Sequence, residues 1–502
     1  MSLFPMSSGR ARVRLVQAGA ILTAALMAGC GNNYRPTVTP INPSGPAAQP
    51  TSYAVVVSSP SATAQGIATI LDYSGDTVMA TAPIGPGPRT FVMDQLGSTG
   101  YTINSDGTLA NFPVSTSLQA KLVTYTTLAA NARPLNFMAP SAGLWAADLN
   151  GNMVDIFQLS PASFKLAIPV APTPITVVGS PNLAGQREYA VSLNYTDPTG
   201  MACNTSPATQ PPGVVTPIEI SSYTTDPAIP VGRCPVYAVP STDTRRIFVV
   251  NRGSDTVSVI NGQTNALNQC TPFIDGQTGR TVTCHPTLPL STGAVTATGI
   301  TPPNGTTGMS ATAEPVYAEY NTATSQLIVA NYAGGTISVI DVSLDQYGND
   351  SPTFGTTYTI PVGRNPASVT VLYDGTRAYT ANQADSTVTI ANLSSHTVEK
   401  TLAVVGHPRT VVSTQNSIYG KVFVASPDSP YVTILSVATD LVDTTVLVQG
   451  NVVDVRATTQ NGISGNSNVT SRIPGYGQPC NLPGIPTPTG TQTALQACQA
   501  MP

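Results

Sequence analysis

Four stretches of this chain share one pattern of apolar and polar positions. They are RIFVVNRGSDTVSVI (246–260), QLIVANYAGGTISVI (326–340), RAYTANQADSTVTIA (377–391) and KVFVASPDSPYVTIL (421–435). Each has a short apolar run, a polar turn, and then Thr or Ser alternating with Val or Ile. Alternation with a period of two predicts a β-strand with one buried face. The turns begin at Asn251, Asn331, Asn382 and Ser426. Asparagine tolerates left-handed backbone geometry and bonds its own chain, so these positions read as turn-formers. A proline precedes each unit, at Pro235, Pro315, Pro366 and Pro408, and the first three stand 16 residues before their asparagine. Pro88 and Asn104 repeat that offset, and weaker copies begin at Pro134 and Pro174.

The seven prolines are separated by 46, 40, 61, 80, 51 and 42 residues. The shorter steps match the roughly 40–50 residues of a four-stranded propeller blade. Loop insertions, expected on one face, account for the longer ones. Two pieces remain outside the seven units. Residues 51–59 and 66–85 read as the last three strands of a blade, and NVVDVRAT (451–458) reads as a first strand. Joined, they close the ring and remove its exposed edge. The expected fold is therefore all-β, a single β-propeller over 51–458, with eight blades preferred to seven.

The repeats resemble the YVTN-repeat β-propeller family. The likeness is carried by VVNRGSDTVSVIN, VANYAGGTISVID and the IPVGRNP element at 360–366. It is strongest over about 235–440, weaker but in register from 53 to 234, and leaves residues from about 460 uncovered. It implies a ring of four-stranded blades, and some propellers of this kind are lactonases.

Composition narrows the function. Only 9% of the 502 residues are charged, with 42 Gly and 45 Pro. That excludes a coiled coil, a charged disordered tail and a basic nucleic-acid binder. Residues 1–29 read as an export signal: Arg10, Arg12 and Arg14 precede an apolar run from Leu15 to Ala28. Met27-Ala28-Gly29-Cys30 resembles a bacterial lipoprotein cleavage box, which implies cleavage before Cys30 and diacylglycerol on its sulfur. Loss of this segment leaves 18 basic and 25 acidic residues, a net charge of −7. Nucleic acid is not an expected partner of such a surface. Residues 30–50 would form a tether and 459–502 a Pro/Gly-rich tail.

Six cysteines follow Cys30: Cys203, Cys234, Cys270, Cys284, Cys480 and Cys498. Their spacing does not suit zinc. In an oxidising compartment they read as disulfides. Sequential pairing, 203–234, 270–284 and 480–498, is preferred because each pair brackets one Pro/Gly-rich insertion.

Hydrolase, zincin and phosphate-loop motifs are absent, and His285, His396 and His407 lack metal-ligand spacing. Neither a metal nor a cofactor is expected. One chemical pattern does recur. Cations stand at the blade-start prolines: Arg89, Arg133, Arg233, Arg364, His407 and Arg409. Each would lie where the chain turns into an innermost strand, around one mouth of the central channel. Guanidinium groups there suit a carboxylate or phosphate. The competing reading is that each cation satisfies loop carbonyls or a neighbouring Asp.

The sequence thus points to a lipid-anchored protein of the bacterial cell envelope, with the outer membrane as the expected site. Its expected role is non-catalytic binding or scaffolding for an envelope protein, a peptide or an anionic glycan. A lactonase-like hydrolase on the same fold is the alternative. Peptide mapping of protein extracted from membranes is expected to find a mature chain that begins at an acylated Cys30. An unmodified N-terminus elsewhere would remove the anchor.

Overall fold

The computed structural model describes residues 53–72, 77–94, 96–130, 132–138, 143–159, 162–179, 187–197, 203, 206–290, 312–414 and 418–458, with backbone only for 135–138. The expected signal segment, the tether, Cys30, Cys480 and Cys498 lie outside these residues.

Eight antiparallel sheets form an eight-bladed propeller, seven of four strands and one, in blade 4, of five because its outermost strand is in two pieces. Blades 1 to 7 begin with the strands Pro88–Met93, Pro134–Met138, Pro174–Gly179, Pro235–Pro240, Pro315–Asn321, Pro366–Val371 and Thr410–Ser413. Blade 8 takes its first strand, Asn451–Ala457, from the far end of the chain and its other three from Tyr53–Ser59, Gln65–Asp72 and Val78–Pro86. The first strands touch one another in order around the ring, with Asn451–Ala457 lying between Thr410–Ser413 and Pro88–Met93. Closure by the two ends of the chain is therefore observed.

The 16-residue offset is a strand register. Pro88 faces Asn104, Pro235 faces Asn251, Pro315 faces Asn331 and Pro366 faces Asn382, with a bulge just after each proline. A strand-initial proline gives up no ladder hydrogen bond, and the bulge lets the following residue leave the pleat.

The asparagines are not the turn-formers the sequence suggested. Each ends a strand, while the left-handed turn positions fall to Asp255, Gly335 and Ser386. The Asn251 amide instead reaches into the next strand, donating to Thr256 Oγ1 at 3.2 Å and Ser258 Oγ at 2.9 Å. Asn331 bonds Thr336 and Ser338 in the same way, and Asn382 bonds Thr387 and Thr389. The glycine of the preceding VG-x-x-P loop makes room for this amide. A Cβ on Gly363 would meet Asn382 Cγ at 2.7 Å, and one on Gly232 would meet Asn251 Cγ at 2.7 Å.

The third strands are likewise not half-buried. Residues 257–260 are all buried, Ser258 included, because adjoining blades cover both faces of the sheet. True alternation appears only at the rim, as in Thr397–Ala403. The apolar core is accordingly distributed between blades, with one cluster spanning blades 3 to 6 and further clusters at other blade junctions.

Two of the expected disulfides are formed, Cys203–Cys234 and Cys270–Cys284. Their insertions do not share one face. Cys203 lies between the second and third strands of blade 3, and Cys234 directly precedes blade 4. The 270–284 bridge sits in an excursion that interrupts the outermost strand of blade 4. The buried Asp350 of blade 5 holds that excursion. It accepts from Arg246 Nη2 at 2.9 Å, from the Asn268 amide and from the His285 backbone N–H.

Gly363→Ala is expected to lower stability by about 1–3 kcal/mol, the usual cost of overpacking. Asn382→Ala in the same chain should recover part of that loss. Thermal unfolding of the two single variants and the double variant measures the coupling.

Candidate functional site

Antiparallel strand order places two sets of connections on one face: those entering each blade and those between its second and third strands. All the recurring cations stand on the entering connections or at the strand ends that adjoin them. Three of the six are engaged within the blade they enter. The Arg364 backbone N–H donates to Asp385 Oδ2 at 2.7 Å and its Nε to Asp385 Oδ1 at 2.5 Å. His407 repeats this fork on Asp428, through its backbone N–H at 2.8 Å and Nδ1 at 2.5 Å. Arg233 is exposed; its backbone N–H bonds Ser254 Oγ and its Nε bonds Gly253 O. In each case the loop entering a blade is clamped to a turn 20 or 21 residues further on.

Arg409 is fully buried and reaches across the junction, donating from Nη2 to Val453 O of blade 8 at 3.0 Å. Burial holds its guanidinium down at about 10, partly offset by Asp454. Blade 5 carries an acid directly before its first proline, where blade 7 has His407. Glu314 accepts from Arg252 Nη2 of blade 4 at 2.9 Å, and its backbone N–H donates to Asp255 Oδ1 at 2.7 Å.

Arg89 and Arg133 differ from these. They enter blades 1 and 2, are partly buried, and lie near enough that Arg133 lowers the pKa of Arg89, after the larger effect of burial. Burial also lowers Arg133, which Asp197 partly restores. The Arg89 Nε is buried and has no hydrogen-bond acceptor. The cluster therefore brings two partly buried guanidinium groups together, and the one on Arg89 has a desolvated N–H unused. An acceptor anion would meet both needs.

A second feature of blade 2 escaped the sequence reading. Where blades 4 to 6 place Asn and, seven residues on, Ser or Thr, blade 2 places Asp148 and Asp155. Both are buried. Asp148 accepts backbone N–H groups from Arg133 at 2.6 Å, Asn150 at 3.2 Å and Gly151 at 3.2 Å. It thus tethers the loop that carries Arg133. Asp155 Oδ2 has no partner. Burial and then the Asp148 charge push Asp155 up to about 6. Protonation removes the charge that burial and Asp148 oppose, at a position where Ser258 and its counterparts place a neutral hydroxyl that accepts from the asparagine amide. The seven-residue spacing was the available signal, and the substitution of acid for amide and hydroxyl hid it. Among the described residues, no three His, Cys, Asp or Glu side chains are grouped to hold a metal ion.

No protein-family model matches the chain, and no curated protein matches its sequence. Among solved structures, apo AztD from Citrobacter koseri aligns with a TM-score of 0.53 at 11% identity, over 81% of this chain and 97% of that one. A second crystal structure of Citrobacter koseri AztD gives 0.53 at 10% identity over 81% and 97% of the two chains. The dihydro-heme d1 dehydrogenase NirN, in complex with DHE, gives 0.48 at 15% identity over 84% and 78%. The likeness is one of fold alone.

Asp155 gives the blade 1–2 junction a pH dependence of definite sign. Its folded-state pKa lies above the ordinary 3.8, so its contribution is full below that value and is lost as pH rises through about 6. Asp155→Asn keeps a neutral side chain of the same size and removes the titration. Its melting temperature is expected to exceed that of the parent at pH 8, and the difference to shrink toward pH 4. Parallel pH–melting curves would disprove this role.

Proposed function

We propose that this chain is a lipid-anchored cell-envelope propeller of the YVTN-repeat kind. In this reading it binds an acidic ligand non-catalytically at the Arg89–Arg133 end of its mouth. The carrying observation is the pair itself: two partly buried guanidinium groups on adjacent blades, one with a desolvated N–H that lacks an acceptor. Most of the other cations are tied to their own blades, so the recurring motif supplies structure at most positions and recognition at one.

The ligand classes that suit the pair are a peptide carboxylate, a phosphorylated metabolite and an anionic glycan. Planar guanidinium forks favour bidentate oxygen acceptors. The overall negative charge of the mature chain works against loose adsorption of polyanions and leaves selectivity to this local cluster. The disulfides suit an oxidising compartment, and no helix among the described residues is long and apolar enough to cross a membrane. An acylated Cys30 is the attachment proposed here.

The test is calorimetric titration of the mature chain with inorganic phosphate, an acidic hexapeptide and a sulfated glycan, each at low and physiological salt. One of the three should bind, more weakly as salt rises. Arg89→Ala with Arg133→Ala should cost at least tenfold in affinity, since a charge-assisted hydrogen bond contributes about 1.5–3 kcal/mol. Arg364→Ala should lower the melting temperature and leave affinity within twofold. Binding that ignores both the salt and the double substitution would end the reading.

A further inference from the structure

The chain enters and leaves the ring at one point. Thr458 and Tyr53 bond each other, Tyr53 backbone N–H to Thr458 Oγ1 at 2.5 Å and Thr458 backbone N–H to Tyr53 O at 2.8 Å. These two residues stand where blade 8 would otherwise connect its first strand to its second. Both chain ends therefore emerge on the face that carries the first-to-second loops, opposite the arginines. Thr458 also lies against Gly97 of the corresponding loop in blade 1.

Among the described first-to-second loops, large exposed apolar side chains occur in the blades on either side of the chain ends. Leu96 of blade 1 is 79% exposed, Tyr373 of blade 6 is 58%, and Ile418 and Tyr419 of blade 7 are 65% and 79%. Leu122 of blade 1, Val78 of blade 8 and Tyr347 of blade 5 are exposed on third-to-fourth connections of the same face. The four in first-to-second loops belong to blades 6, 7 and 1, an arc flanking the chain ends of blade 8. The same loops of blades 4 and 5 carry Thr242, Asp243, Thr322 and Thr324 instead, with Thr242 Oγ1 and Thr322 Oγ1 bonded to each other.

We infer that this arc docks onto a lipid bilayer, with Leu96, Tyr373, Ile418 and Tyr419 in the interfacial layer. The inference rests on the proposed acylation of Cys30. The sequence places 22 residues between Cys30 and Tyr53. A coil of that length spans about 25 Å, which keeps an anchored arc within constant reach of the surface. Tethering raises its effective concentration there, so loop tips too few to bind a membrane alone suffice once the lipid holds them close. Tyrosine suits the interface because its ring is apolar and its hydroxyl stays hydrated. A net charge of −7 repels anionic headgroups, so apolar insertion rather than charge must make the contact.

The experiment uses the full lipidated chain reconstituted into phosphatidylcholine vesicles brominated on their acyl chains. Tyr419→Trp reports on the arc, and Tyr431→Trp, at a third-strand start on the arginine face, is the control. The native Trp145 is buried and common to both. Flotation is measured on the same samples. Docking predicts that both variants float, that Tyr419→Trp emission shifts to the blue and loses at least a third of its intensity, and that Tyr431→Trp is unchanged. If both float and neither is quenched, the lipid anchor stands and docking is overturned. Equal quenching of the two also overturns it, because the ring then has no preferred face. If neither floats, the anchor fails and docking falls with it. Tyr373→Trp replaces Tyr419→Trp should that variant not fold.

Discussion

A ring of sheets has a free edge until its last gap is filled by hydrogen bonds. Here the filling strand is Asn451–Ala457, paired along Tyr53–Ser59 from Ala457 opposite Ala54 to Asn451 opposite Ser59. Without it, the 53–59 strand would present unpaired N–H and C=O groups and an apolar face, the usual start of edge-to-edge aggregation. Every other blade depends on this closure because the core lies between blades. Val453 covers blade 1 residues such as Phe91, while Val452 and Val455 cover Phe423 of blade 7. Removing one partner exposes both neighbours, as in other repeat architectures in which each unit touches only the next.

Much of this was legible in the sequence because the blade-start interlock has fixed chemistry at fixed spacing. A proline that starts a strand, an asparagine opposite it and a glycine that seats the asparagine leave a recognisable offset. The same regularity explains the misreadings. Ser258 and Thr389 look solvent-facing by period, yet they are buried as acceptors for an asparagine amide, a long-range role that periodicity does not encode. Blade 2 breaks the offset, with Pro134 opposite Asp148 at a spacing of 14, and so its carboxyl pair was missed. Asp385 and Asp428 stand 21 residues after Arg364 and His407, too far apart for local reading, and meet them only when the blade folds. Cysteine spacing identified two bridges but not the strand connections they close.

The low identity to AztD despite a common fold follows from the same physics. A blade needs small residues at a few seats, apolar residues on both faces of its middle strands, and polar turns, and many sequences meet those conditions. What distinguishes this chain is where it departs from its own repeat, in the Asp148–Asp155 pair and in the Arg89–Arg133 pair on the same junction.

The separation of the chain ends from the arginines also limits what can reach the mouth. Strands of about six residues make a disc roughly 20 Å thick. If the chain ends face a bilayer, the arginines look away from it at that height. A flat molecule confined to the same leaflet cannot reach them. The mouth is then open to diffusible solutes and to proteins that arch over the rim, and the ring acts as a height filter as well as a binding surface.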